Sequence, residues 1–196
     1  MRPDITLYFV RHGETDWNAV GRYQGQSDIP LNDKGRGQAA GNGSTLRAYL
    51  PDPAALDFVA SPLSRTRETM ELLRRAIGLP ADGYRTDGRL MEVHYGRWEG
   101  QLWTDLPTID PDGVAARKRD TWNWRPVDGE SYADVAIRLG AWLEEVTTDT
   151  VVVAHGGVSR ILRQRVLGID PRDVPSLEVP QDRVLVLRAG QAHWLA

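Results

Sequence analysis

The chain contains no cysteine, which excludes a disulfide framework, a thiolate nucleophile and a cysteine-ligated metal. Lysine is nearly absent too: only Lys34 and Lys118 among the 24 basic residues, the rest being arginine. The formal charge is −3, so the basic surplus of a general nucleic-acid binder is missing. No apolar run reaches membrane-spanning length, and the run near the N-terminus stops at Arg11 without a signal-peptide pattern; the expectation is a cytoplasmic protein with no membrane partner. What is present, 41% hydrophobic and 26% charged residues over 196 positions, suits one globular domain with a substantial core.

Strand-like and helix-like segments alternate. Residues 5–10, 56–60 and 150–154 read as buried strands, 84–86 as a short one, and 183–187 with 192–195 as a closing hairpin around Ala189, Gly190 and Gln191. Residues 32–50 read as a helix despite Gly35, Gly37, Gly41 and Gly43. A second helix has Ser61 as its N-cap and Pro62 at its first position, with Gly78 and Pro80 stopping it. Further helices follow Ser131 and span 158–167. The alternation predicts an α/β fold: a three-layer sandwich with a mostly parallel central sheet and helices on both faces. Residues 98–130 carry Trp98, Trp103, Trp122, Trp124 and Arg117-Lys118-Arg119; they read as a lid insertion within a single domain spanning 1–196.

In such a sheet, ligands bind beyond the carboxyl ends of the strands. There the first strand releases Arg11-His12-Gly13, the second leads into Arg65, and the 150–154 strand releases His155-Gly156-Gly157 ahead of a helix. Taken singly, each has a plain reading: a satisfied histidine, a solvated helix arginine, a tight turn. Together they aim two arginines, two histidines and a helix N-terminus at one edge, a set suited to a phosphoryl dianion.

The ordered motifs RHGETDWN (11–18), GRYQGQSDIPLNDKG (21–35), ASPLSRTRET (60–69), MEVHYGRWEG (91–100), DGES (128–131) and VVVAHGG (151–157) resemble the histidine phosphatase superfamily, the phosphoglycerate-mutase-like clan of phosphatases and mutases. The resemblance implies that His12 is a nucleophile forming a phosphohistidine, that Arg11, Arg65 and His155 hold the phosphate, and that Glu92 donates a proton. By motif position Asn18, Gln24, Gly25, Tyr95 and Gly156 fall to the phosphate or the substrate body. The chemistry agrees: Arg11 and Arg65 disfavour protonation of His12, and a proton donor such as Glu92 should have its pKa raised by partial burial when substrate is bound. No metal site is expected from the spacing of acids and histidines, the family chemistry needs no metal, and no cofactor is expected for this chain.

The clan includes hydrolases and mutases. His94-Tyr95-Gly96 resembles the mutase loop, but Val93 stands where mutases usually carry arginine, Trp103 falls near the place of a substrate-binding lysine, and Trp98-Glu99-Gly100 has the phosphatase form. The reading is therefore a metal-independent phosphatase acting on a small phosphate monoester. A cofactor-dependent mutase is the first alternative and a non-catalytic phosphate-binding module the second. Glu99 reads as a helix-start acid. A homodimer through an edge strand stays open.

Overall fold

In the computed structural model, which describes residues 2–195, a six-stranded sheet carries helices on both faces. In chain order the elements are β1 (Thr6–Arg11), α1 (Asp16–Ala19), α2 (Asp33–Tyr49), β2 (Asp57–Ala60), α3 (Ser64–Ile77), β3 (Arg85–Thr86), α4 (Leu106–Ile109), α5 (Pro111–Arg119), α6 (Tyr132–Glu145), β4 (Thr150–Ala154), α7 (Gly156–Leu167), β5 (Val184–Arg188) and β6 (Gln191–Leu195). The sheet order is β3-β2-β4-β1-β5-β6. The first four of these run parallel, while β5 and β6 add an antiparallel edge.

Period-two alternation divides the core between the two faces. Leu7, Phe9, Val152 and Ala154 pack with Leu139 and Trp142 of α6 and Ile161 and Leu162 of α7. Tyr8, Val10, Val151 and Val153 pack with Leu46 of α2 and Met70 and Leu73 of α3. Strands buried on both faces need continuous apolar runs, which is why 150–154 is so legible in the sequence. Because β4 lies between β2 and β1, the loops leaving these three strands emerge side by side. The ladder continues into them: His12 N–H donates to the Ala154 carbonyl (2.9 Å) and Ser61 N–H to that of Val153 (3.0 Å).

Several local expectations hold. The helices read over 32–50 and after Ser131 both form, and Gly78 closes α3 at φ +94°; the structure adds that Asn32 caps α2 through Gly35 N–H and that Ser131 makes a capping box with Asp134. Two do not. Ser61 is not the cap of α3, which starts at Ser64. Its backbone is still bonded into the sheet, its carbonyl accepts from Thr66 Oγ1 (2.8 Å), and its hydroxyl is engaged elsewhere. The cap comes instead from a distant loop: Asp28 Oδ1 accepts from the N–H (2.8 Å) and hydroxyl (2.7 Å) of Ser64. Likewise α7 starts at Gly156, two residues before the expected start, because His155 already has extended cap geometry.

Most tryptophans of 98–130 pack the segment together. Trp98 is buried, donates Nε1–H to Asp110 (2.8 Å) and lies 4.3 Å from the Trp124 ring, while Trp122 sits edge-on to Tyr132 at 6.3 Å. Trp103 stays exposed.

Candidate active site

A cleft of about 580 Å³ opens over the carboxyl ends of β1 and β4. Nine of the ten residues nominated from the sequence line it: Arg11, His12, Asn18, Gln24, Gly25, Arg65, Glu92, Tyr95 and Gly156. The tenth, His155, is fully buried and does not reach the wall; its ring lies edge-on to His12, with centroids 5.2 Å apart. Arg22, Tyr23, Trp103, Gly157 and Arg160 also line the cleft and were not nominated. Arg22 and Tyr23 fall inside a quoted motif, and Arg160 lies one helical turn beyond Gly156, so a helical projection of α7 is the signal that would have found it.

His12 Nδ1 lies 2.7 Å from the Gly13 carbonyl. A carbonyl only accepts, so Nδ1 carries the hydrogen and a neutral ring has its lone pair at Nε2. The ring is neutral: burial, reinforced by Arg65 and then Arg11, holds its pKa well below the ordinary value. The Gln181 amide fixes the His12 carbonyl (3.0 Å) and reaches Asn18 Oδ1 (3.2 Å). His155 is likewise held far below the usual imidazole range by burial, Arg65 and His12. Its Nε2 is 2.8 Å from Ser61 Oγ, which is where the supposed cap hydroxyl goes.

Arg65 is completely buried, and burial pushes its pKa down to about 10. Its Nη1 and Nη2 donate to the carbonyls of Ser27 and Gly25 (both 2.7 Å), tying α3 to the loop that carries Gln24 and Gly25. Arg11 donates Nη1–H to Val179 O (2.8 Å). With these bonds made, the Nε of each arginine and Nδ1 of His155 are buried without a protein partner among the described residues. Buried polar atoms are seldom left so.

Glu92 is positioned by backbone. Its Oε2 accepts from Gly157 N–H (3.1 Å) and its Oε1 from Val93 N–H (3.0 Å). A Cβ at Gly157 would sit 2.5 Å from Glu92 Oε1, so only glycine leaves the carboxylate its place. Glu99 is not a helix-start acid: its carboxylate accepts from the N–H groups of Gln26 (2.9 Å), Ser27 (3.1 Å) and Tyr95 (3.0 Å), clasping the two loops that border the cleft. Gly25, at φ +51°, passes so close to Glu99 that a Cβ would overlap Oε1. Burial pushes the Tyr95 phenol well above its ordinary pKa, and the ring packs edge-on against Tyr23 at 4.7 Å.

Residues 7–196 match the histidine phosphatase superfamily (branch 1). A glucosyl-3-phosphoglycerate phosphatase from Mycolicibacterium vanbaalenii is 34% identical over 183 residues, covering 87% of this chain and 78% of that protein. A probable phosphoglycerate mutase from Erwinia tasmaniensis is 32% identical, covering 98% and 88%. Among solved structures, a mycobacterial glucosyl-3-phosphoglycerate phosphatase in complex with VO3 superimposes with a TM-score of 0.78 at 30% identity, covering 97% and 96%. An alpha-ribazole phosphatase from Shigella flexneri gives 0.80 at 25% identity, covering 98% and 95%. Among the described residues, no helix is long and apolar enough to cross a membrane.

Proposed function

The chain belongs to the histidine phosphatase superfamily, and from that premise we propose that it is a phosphoric monoester hydrolase that acts on a small monoester through a phosphohistidine on His12. The observation that carries the reading is a neutral His12 imidazole, its free lone pair at Nε2, lining one cleft together with Arg11, Arg65 and the backbone-held Glu92 carboxylate. With the Ser61 hydroxyl donating to His155 Nε2, the neutral His155 ring carries its hydrogen at Nδ1 and packs edge-on to His12.

In the first step the His12 Nε2 lone pair forms a bond to phosphorus while the ester P–O bond breaks, and Glu92, protonated, gives its proton to the departing alkoxide. In the second step water attacks the phosphohistidine, the P–N bond breaks, and the Glu92 carboxylate takes the proton of the water. Phosphate leaves and both side chains are restored. Arg11 and Arg65 stabilise the charge spread over the transferring oxygens, the larger part of catalysis in phosphoryl transfer.

Transfer back to a second substrate is the alternative supported by the mutase relative. Product analysis in EDTA on 3-phosphoglycerate and a panel of monoesters, with and without 2,3-bisphosphoglycerate, separates the two. Free phosphate that disappears in His12→Ala supports hydrolysis. Conversion of 3- to 2-phosphoglycerate without phosphate release overturns it.

A further inference from the structure

Glu14 stands two residues after His12 in the first motif, and neither step of the hydrolysis uses its carboxylate. All four of its polar groups are engaged by residues 32–38, the cap and first turns of α2. Its N–H donates to Gln38 Oε1 (2.8 Å), and its carbonyl accepts from Asn32 N–H (3.0 Å). Its carboxylate oxygens accept from Asn32 Nδ2 (3.2 Å) and Lys34 Nζ (2.7 Å). The start of α2 is thereby fastened to the backbone directly behind the nucleophile.

Two glycines permit the approach. A Cβ at Gly13 would lie 2.1 Å from the Gly35 carbonyl oxygen, and one at Gly35 would lie 2.1 Å from the Glu14 carbonyl oxygen. Backbone is the obstacle in both cases, so no side chain could give way. Gln38, three residues after Gly35, then falls on the same helix face and reaches the same turn. The peptide it meets is planar, with the Glu14 N–H on one side and the Gly13 carbonyl on the other. That carbonyl is the acceptor for His12 Nδ1–H (2.7 Å). Gln38 Oε1, the Gly13–Glu14 peptide and the His12 ring therefore form one chain of hydrogen bonds, in which each bond polarises the next. The bond to Gly13 is also the contact that favours the protonated ring, against burial and the two arginines.

We propose that Gln38 is a positioning residue for the nucleophile: by holding the Glu14 N–H it orients the Gly13 carbonyl, which keeps the His12 hydrogen at Nδ1 and the lone pair at Nε2. Its part in catalysis rests on the phosphatase reading above. A Ser-His-Asp triad fixes its imidazole tautomer with a carboxylate on the far nitrogen. Here a carboxylate would favour the imidazolium, which cannot attack phosphorus. A neutral peptide backed by a neutral amide fixes the tautomer without adding charge.

The test compares Gln38→Met, similar in length but offering only a weak thioether acceptor, with Gln38→Glu, which keeps an oxygen in reach of the Glu14 N–H. Nitrogen-15 NMR of the histidine rings, with His12 assigned through its loss in His12→Gln, reads the tautomer; p-nitrophenyl phosphate turnover reads kcat and KM. Wild-type His12 should show the two widely separated ring nitrogen signals of a fixed Nδ1–H tautomer. In Gln38→Met the two signals should draw together as tautomers mix, and kcat should fall by about tenfold, with KM within about twofold because Arg11 and Arg65 are untouched. Gln38→Glu should keep the separation and hold kcat at least about threefold above that of the methionine variant. If Gln38→Met does not fold, Gln38→Asn, too short to reach the Glu14 N–H, takes its place. Mixed tautomers in the wild-type enzyme, or a separation unmoved by loss of the acceptor, overturn the proposal, since a merely structural contact would leave the tautomer alone. So does a kcat within about twofold of wild type in the variant that lacks the acceptor. Absence of turnover in the wild-type enzyme instead overturns the phosphatase reading, and the ring nitrogen signals then still decide whether Gln38 sets the tautomer.

Discussion

Alanine at Gly157 is the most specific test of how Glu92 works. The new Cβ would lie 2.5 Å from Glu92 Oε1 and 2.6 Å from Val93 Cγ2, whereas ordinary contact begins at 3.4 Å. The carboxylate must therefore retreat by close to an ångström, and a displacement of that size at a reacting group costs about 100-fold in rate. The loss should depend on the leaving group. An alkyl phosphate such as glycerol 3-phosphate needs the proton and should lose about 30- to 100-fold in kcat/KM, while p-nitrophenyl phosphate, whose phenolate leaves with little protonation, should lose about fivefold or less. Glu92→Gln should give the same asymmetry, more steeply. Overpacking of about 1–3 kcal/mol is partly offset by the gain of about 1 kcal/mol from replacing glycine within α7, so the fold should survive, which urea titration checks. Gly41→Ala is the control: its Cβ meets nothing within 4 Å on α2, and it should stabilise by about 0.5–1 kcal/mol without changing turnover. Equal losses on both substrates in Gly157→Ala would falsify the assignment of Glu92 as the acid.

Three further outcomes are expected. His12→Ala should abolish turnover yet retain vanadate binding, since Arg11 and Arg65 remain; turnover within about tenfold of wild type would remove the phosphohistidine step. Ser61→Ala should lower kcat by about tenfold through loss of the bond that orients His155 (2.8 Å), with Ser61→Thr recovering part of it; an unchanged kcat would show that the His155 tautomer is irrelevant. Stability should fall as the solution is acidified from pH 7.5 to 5.5. His12 and His155 are held well below 6.5 in the fold but titrate near 6.5 when unfolded, so the unfolded chain binds more protons and gains as pH falls. Each contributes up to about 1.4 kcal/mol per pH unit below that value, and a His12→Gln, His155→Gln double variant should show a flatter profile by chemical denaturation; an equally steep profile would place the titration elsewhere.

The loops that form the cleft are held by contacts between residues far apart in the chain. Arg65 donates to the Gly25 and Ser27 carbonyls, Glu99 accepts from Gln26, Ser27 and Tyr95, and Asp28 caps α3. These contacts tie the loop carrying Gln24 and Gly25 to α3 and to the loop carrying Tyr95, which is why a cleft on loops can be as well ordered as one on strands.

Much of the fold was legible in the sequence because the relevant signals are local. The apolar run at 150–154, the amphipathic pattern after Ser131 and the Gly78 stop each depend on a few neighbouring residues, and the structure places β4, α6 and the end of α3 accordingly. The strand ends at His12 and His155 were legible for the same reason, since a buried strand has to end in residues that can leave the sheet. Ser61 was misread because Ser-Pro is a good local helix start, and nothing local reveals that its hydroxyl meets His155, 94 residues away. Glu99 was misread in the same manner. Arg22 and Arg160 enter the cleft only through the packing of an N-terminal loop and α7 around it. The alternating elements, the double-faced apolar strands and the basic tips of three of them follow from propensity and periodicity, which act over a handful of residues. The tertiary structure alone decided that β4 lies between β1 and β2, and with that which tips become neighbours, which histidine reaches the cleft and which arginines line it, because strand order and side-chain neighbours are set by long-range packing.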